Sequence, residues 1–326
     1  MQLFDQNSTL SEINTFLQKD LPILTTKERI LKIEIAGEGN MNVVLRLTTN
    51  HRSFILKQSR PFVRKYPDLA APIERIEVEH QFYHRMEQAS FFPKVLAFSS
   101  KHYILLLEDL GICEDLTSLY QSKIVTDVLL NNLIKALYQI HQSPIAEYPK
   151  NLNLRQLNHQ HIFDLPFASE NDFSLEEVQV GLEALAIPYK ENKALKEKIS
   201  EAGKVYLQKG DTLLHGDYYP GSWMRVEGKL FIIDPEFSFI GPKSFDLGIL
   251  AAHLIIATSD ERLLERIVTA YPKEVDQSWV EIFCGIEILR RLLGLAQLSL
   301  ERSLAEKEAL LILAQRLILQ KPIKNP

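Results

Sequence analysis

Two carboxylates at turn positions stand seventeen residues apart in this chain. Asp217 closes the run His215-Gly216-Asp217, and Asp234 opens Asp234-Pro235-Glu236. Taken singly, either tripeptide is an ordinary polar turn. Spaced this way, with β-like residues between them, they match what phosphoryl transfer asks of a protein. That reaction needs one group to orient or deprotonate an attacking hydroxyl, and carboxylates to hold a divalent cation on the phosphates. Asp217 suits the first role and Asp234 the second. Glu236, two residues on, is placed to share the cation, since carboxylate oxygens are the hard ligands that Mg2+ prefers.

Upstream residues supply the other parts in the required order. Gly37-Glu38-Gly39-Asn40 lies between two β-like runs, where Gly37 and Gly39 let backbone N–H groups approach phosphate closely. Taken alone, that stretch reads equally as a plain hairpin turn. Lys57 ends the apolar run Phe54-Ile55-Leu56, and is read either as a charge guarding an edge strand or as a phosphate ligand. Glu79, on the helix that follows, is the expected partner of Lys57, with Glu77 as a competitor.

These residues must be carried by particular elements. Ile33–Ala36, Asn42–Thr48, Ser53–Gln58, Val95–Phe98 and Tyr103–Leu107 read as five short strands, with a helix over Ile73–Met86 after the third. Beyond Gly111 the periodicity turns helical, over Ile124–His141, Leu175–Ala186, Lys190–Gln208, Phe245–Ala257, Leu263–Tyr271, Gln277–Leu298 and Ser303–Leu319. One β-like island, Thr212–Leu214 with Lys229–Ile233, reads as a hairpin-like insert. Glu108–Gly111 is the expected boundary between the two parts. The 326 residues are 46% hydrophobic and 24% charged with a net charge of −5, which suits a globular protein and disfavours a nucleic-acid or anionic-membrane surface. Met1–Leu10 lacks the apolar run of a signal peptide, and no stretch has the length of apolar sequence that spans a bilayer. The isolated cysteines Cys113 and Cys284 suit a reducing, cytoplasmic setting. His159 and His161 lack the further ligands a metal site needs.

The motifs as a set resemble the aminoglycoside phosphotransferase and choline kinase superfamily, and within it the 5-methylthioribose kinases. The resemblance rests on His215-Gly216-Asp217 through Gly221-Ser222, on Asp234-Pro235-Glu236-Phe237 through Gly241-Pro242 to Phe245-Asp246, and on Gly37 through Asn42. Lys57-Gln58, Glu108-Asp109-Leu110 and Leu289-Arg290-Arg291-Leu292 extend it. It implies an α+β, protein-kinase-like bilobal fold: residues 1–110 as a nucleotide-binding lobe with a five-stranded antiparallel sheet and one helix, and residues 111–326 as a mainly helical catalytic and substrate-binding lobe.

The resemblance also assigns roles. Asp217 becomes the base, and Asp234 binds Mg2+ with Glu236 and Ser222 assisting. Lys57 and Glu79 position the phosphates of ATP beside Gly37, Gly39 and Asn40. Glu108 and Leu110 offer a hinge backbone to adenine, Asp246 braces the loop that begins at His215, and Arg290 and Arg291 reach the acceptor. A solvated helix face or a homodimer contact is the alternative for the two arginines. Tyr218-Tyr219 follows the base where relatives carry Leu-His, which would place aromatic rings against the acceptor. The expected activity is ATP-dependent phosphorylation of a small-molecule hydroxyl, methylthioribose or a related sugar first. An aminoglycoside- or choline-type kinase and a catalytically silent kinase-like binding module are the rivals.

Overall fold

Five strands build the first sheet, one of them with strict alternation. β1 (Ile30–Ile35), β2 (Val43–Thr49), β3 (Ser53–Gln58), β4 (Val95–Ser99) and β5 (Ile104–Glu108) pair antiparallel in the order β1-β2-β3-β5-β4. In β2, Val43, Leu45 and Leu47 turn to the buried face, as a period of two requires. They meet Phe54, Leu56, Ile104 and Leu106 in one core. The computed structural model describes residues 2–37, 41–63, 66–168 and 173–320.

A helix unanticipated from the sequence, α1 (Leu10–Lys19), lays Ile13, Phe16 and Leu17 into the same core. Its signal was present: Thr9 and Glu12 form a reciprocal capping box, each side chain accepting the other's backbone N–H. α2 (Arg75–Arg85) follows β3 as expected and buries Arg75, Ile76, Glu79, Phe82 and Tyr83. Because β3 is the middle strand, Lys57 is no edge-strand guard.

The chain divides into two compact units. One comprises Met1–Glu114, Glu147–Leu154 and Arg225–Ser238; the other comprises Asp115–Ala146, Arg155–Met224 and Phe239–Pro326. Asp234 therefore belongs to the first unit and Asp217 to the second.

The second unit is mainly helical: α3 (Asp127–His141), α4 (Lys193–Leu207), α5 (Lys243–Thr258), α6 (Arg262–Ala270), α7 (Gln277–Leu293) and α8 (Leu304–Leu319) are among its helices. Two expectations need correction. The helix read over Leu175–Ala186 is broken by Gly181, whose φ of 87° is left-handed, and resumes at Leu182. The helix read to Leu298 stops at Leu293, before Gly294. The β-like island is not one hairpin either. Thr212–Leu214 pairs with Phe239–Gly241, whereas Lys229–Ile232 pairs with Trp223–Val226 across a tight turn at Glu227-Gly228, both with positive φ. The first strand of that true hairpin begins with the fully buried Trp223 rather than an alternating run, which hid it.

α5 and α7 pack against one another, and Gly248 lies at their contact. A Cβ on Gly248 would lie 2.7 Å from Phe283 Cβ and 2.9 Å from Cys284 N. Gly248→Ala should therefore force the two helices apart, costing about 1–3 kcal/mol by overpacking. Urea unfolding of the purified variant checks this, and an unchanged midpoint would show that the helices yield freely.

Candidate functional site

In the first unit Lys57 is the centre of the arrangement. Its Nζ donates to Glu79 Oε1 at 2.6 Å and to Asp234 Oδ1 at 2.5 Å. Glu79, not Glu77, is thus its helix partner. Burial works against the ammonium charge, but Asp234 and Glu79 together hold its pKa well above the usual lysine range. Burial pushes the Glu79 carboxyl up to about 7, with Lys57 pulling the other way.

Asp234 sits in left-handed backbone, φ 61° and ψ 50°, and its N–H donates to the Tyr83 hydroxyl at 3.2 Å. A non-glycine residue there is uncommon, and such strain persists where surrounding contacts over-determine it. Its side chain is 47% exposed, so a carboxylate oxygen remains accessible to a ligand. Glu236 is otherwise engaged. Its Oε2 accepts from Asn42 Nδ2 at 2.9 Å and from Arg75 Nε at 3.1 Å, and Asn42 in turn accepts from Ser59 Oγ. One oxygen of Glu236 is thus shared by Asn42 and Arg75.

No atom of the described residues lies within 4 Å of where a Cβ on Gly37 would stand. Gly39 and Asn40 lie outside the described residues. At the end of β5 the Glu108 N–H bonds Lys94 O, while the Leu110 N–H has no partner among the described residues. Asp109 between them is held by Arg46 Nε at 2.8 Å.

In the second unit, Asp246 in the first turn of α5 accepts the N–H of His215 at 2.7 Å and of Gly216 at 3.0 Å, and His141 Nε2 lies 3.2 Å away. The loop can turn there because Gly216 takes φ 85°. Asp217 follows, 24% exposed, with Ser222 Oγ donating to its backbone carbonyl at 3.1 Å. Ser222 thus braces the loop that carries Asp217. Tyr218 turns into the core, its hydroxyl donating to Leu133 O at 2.9 Å, and so does not stand against an acceptor.

Arg290 and Arg291 are both buried, which removes the solvated-face and homodimer readings. Arg290 donates to Glu287 Oε2 at 2.8 Å. Arg291 donates to Glu287 Oε1 at 2.5 Å and to Asp217 Oδ1 at 3.3 Å, with its guanidinium 4.9 Å from the Tyr219 ring centre. Arg291 therefore touches the expected base, and Arg290 Nε has no partner among the described residues. Burial pushes the Asp217 carboxyl up, and Arg291 and Arg290 pull it back. Burial opposes the charge of Glu287 too, but the two arginines hold it well below the usual carboxylate range.

His253 on α5 completes the cluster, with Nε2 3.0 Å from Glu287 and Nδ1 2.7 Å from the Tyr120 hydroxyl. Sequence reasoning missed Glu287, His253, Arg75 and Asn42. The first had a visible signal, a lone acid inside the apolar run Ile286–Leu289, and the others had none.

The first unit thus holds a sheet-borne lysine clasped by a helix glutamate and a turn aspartate, and the second a His-Gly-Asp loop braced from a helix N-terminus. The chain belongs to the phosphotransferase enzyme family APH, which its residues 32–280 match. It is 27% identical over 262 residues to a methylthioribose kinase of Exiguobacterium sibiricum, covering 76% of this chain and 66% of that one. With methylthioribose kinase 1 of Oryza sativa subsp. japonica it shares 26% over 245 residues, 70% of this chain and 56% of the relative. The matched region is thus under two thirds of either relative's length. A crystal structure of a spectinomycin phosphotransferase in complex with ADP and spectinomycin superposes with a TM-score of 0.52 at 14% identity, covering 96% of this chain and 98% of that one. That likeness concerns the fold.

Burial pulls the His253 imidazole down to about 4, against the favourable hydrogen bond to Glu287. The folded state then binds fewer protons than the unfolded state between about pH 6.5 and 4, so stability falls as pH drops through that window, by about 3 kcal/mol from this group. Thermal melting from pH 7.5 to 4.5 should show a smaller acid loss for His253→Gln than for the wild type; equal losses would remove His253 as the cause.

Proposed function

We propose that this protein transfers the terminal phosphate of ATP to a hydroxyl of a small, uncharged, sugar-like metabolite, 5-methylthioribose first among candidates. The observation that carries the proposal is Lys57, buried in the central strand and shared between Glu79 and Asp234. A buried ammonium held this way is poised to donate to phosphate oxygens, while Asp234 presents a carboxylate toward solvent.

A divalent cation fits the charge of this cluster. Lys57 and Arg75 supply two positive charges against the three negative charges of Glu79, Asp234 and Glu236, and the exposed oxygen is the hard donor that Mg2+ takes. Asp234 would hold the ion, which supplies charge neutralisation on the transferring phosphoryl group. Residues 1–110 would carry the nucleotide, with the backbone at Gly37 and the unpartnered Leu110 N–H suited to phosphate and adenine. Residues 111–326 would carry the acceptor.

Asp217 accepts the proton of the attacking hydroxyl. Its loop is fixed by Asp246, and Arg291 favours the charged, accepting form of the carboxylate against the effect of burial. The acceptor is inferred from charge as well as from the relatives' names. Asp217 and Glu287 are balanced by Arg290 and Arg291, leaving no surplus negative charge to draw a cationic amine. The phosphotransferase that binds ADP supports a nucleotide, and the methylthioribose kinases support the sugar. A cytoplasmic setting accords with the cysteine usage, and no helix among the described residues is long and apolar enough to cross a membrane.

ADP release with MgATP, tested against methylthioribose, common sugars, choline and aminoglycosides, decides the matter. Methylthioribose or another sugar should turn over, and Asp217→Asn and Asp234→Asn should each lower kcat by roughly 10²–10⁴-fold. Turnover of choline or an aminoglycoside alone would move the acceptor to the cationic class. ADP binding without turnover of any acceptor would leave a silent binding module, and near-wild-type rates in either variant would overturn the residue roles.

A further inference from the structure

Arg75 is fully buried in the first turn of α2, four residues before Glu79 and so on the same helix face. Its guanidinium satisfies four acceptors from separate parts of the chain. Nε donates to Glu236 Oε2 at 3.1 Å. Nη1 donates to Arg60 O at 2.8 Å and Pro72 O at 2.7 Å, and Nη2 to Met41 O at 2.7 Å. Those carbonyls belong to the segment entering β2, the segment leaving β3 and the approach to α2. One side chain thus ties the residue just after the glycine turn, the strand that carries Lys57 and the Asp-Pro-Glu turn to a single helix.

The contacts close on themselves. Lys57 joins Glu79 and Asp234; Arg75, one helical turn before Glu79, joins Glu236; and Glu236 follows Asp234 by two residues. We propose that Arg75 is a positioning residue, with Glu236 as its anchor rather than as a metal ligand, and that this second arm holds Asp234 against Lys57. Two further ties reach the same turn: Asn151 Nδ2 donates to the carbonyls of Glu236 and Ser238, and the Tyr148 hydroxyl lies 2.8 Å from Ser238 Oγ. Neither touches the Glu236 carboxylate, so the anchor falls to Arg75 and Asn42. A rigid fork is needed, because one ammonium with three donors cannot reach four acceptors spread over four segments.

The inference rests on the nucleotide-binding reading, and its test separates the two. Glu236→Gln keeps the shape and an acceptor oxygen, while Arg75→Lys keeps the charge and loses the fork; should Arg75→Lys not fold, Glu236→Gln carries the test. Hydrogen exchange of a peptide spanning residues 232–238 needs no ligand. It should quicken about tenfold or more in each single variant and no further in the double variant, as coupled partners behave. Unchanged exchange would overturn the clamp. Calorimetry with ADP, with and without Mg2+, follows. Loss of a residue that orients a ligating group typically weakens binding about 10–100-fold, and the clamp requires that loss in both variants, most of all with Mg2+ present because Asp234 would hold the ion. A loss confined to the Mg2+ titration in Glu236→Gln, with Arg75→Lys unaffected, would make Glu236 a metal ligand and sink the proposal. A wild type that binds no ADP would overturn the nucleotide reading instead, leaving the clamp to be judged by exchange.

Discussion

A lysine ammonium cannot be buried in a sheet without partners, and the first unit is organised around that fact. The desolvation of Lys57 is met by two carboxylates at 2.5–2.6 Å, one from a helix and one from a turn. Glu79 can serve only if α2 lies across β3 in one register, which Ile76, Phe82 and Tyr83 secure by burying the same helix face. Asp234 can serve only if its turn adopts a strained backbone, which Tyr83 and the Arg75–Glu236 pair hold in place. Removing either carboxylate would leave a buried charge under-compensated, so the pairing acts on the fold and the chemistry together.

The second unit solves a parallel problem with helices. Asp246 in the first turn of α5 anchors the loop before Asp217, and Glu287 on α7 steadies the arginine that touches Asp217. The loop and the arginine keep their relation only while α5 and α7 keep theirs. That is why a glycine stands at their crossing and why His253 reaches across to Glu287. The acidic and basic side chains of this cluster compensate one another almost entirely within the unit, unlike the cluster around Lys57, which retains an excess of negative charge.

Much of this was legible in the residues. Five strands were visible because β2 and β3 alternate and are broken by turn formers, and Lys57 stood out because a charge inside an apolar strand demands a reason. Asp217 and Asp234 were legible from their spacing and turn context. What escaped was whatever depends on long-range pairing. Arg75 looks like any exposed helical arginine until Glu236, 161 residues away, is seen to bond it. Tyr218 follows Asp217 in sequence and yet points into the core, where its hydroxyl bonds Leu133 O. Pairing between Thr212–Leu214 and Phe239–Gly241 was missed for the same reason: three-residue strands carry too little periodicity to choose a partner.

The backbone at Asp234 carries one more implication. A left-handed φ admits asparagine and aspartate far more readily than β-branched or bulky residues. The position is therefore filtered twice, once for a conformation and once for a charge, and the two filters overlap on very few side chains. A lineage that gave up catalysis while keeping the fold would drift there first to asparagine. The amide at that one position, set beside an unaltered lysine in the third strand, would mark a descendant that still folds and still grips a nucleotide but no longer spends it.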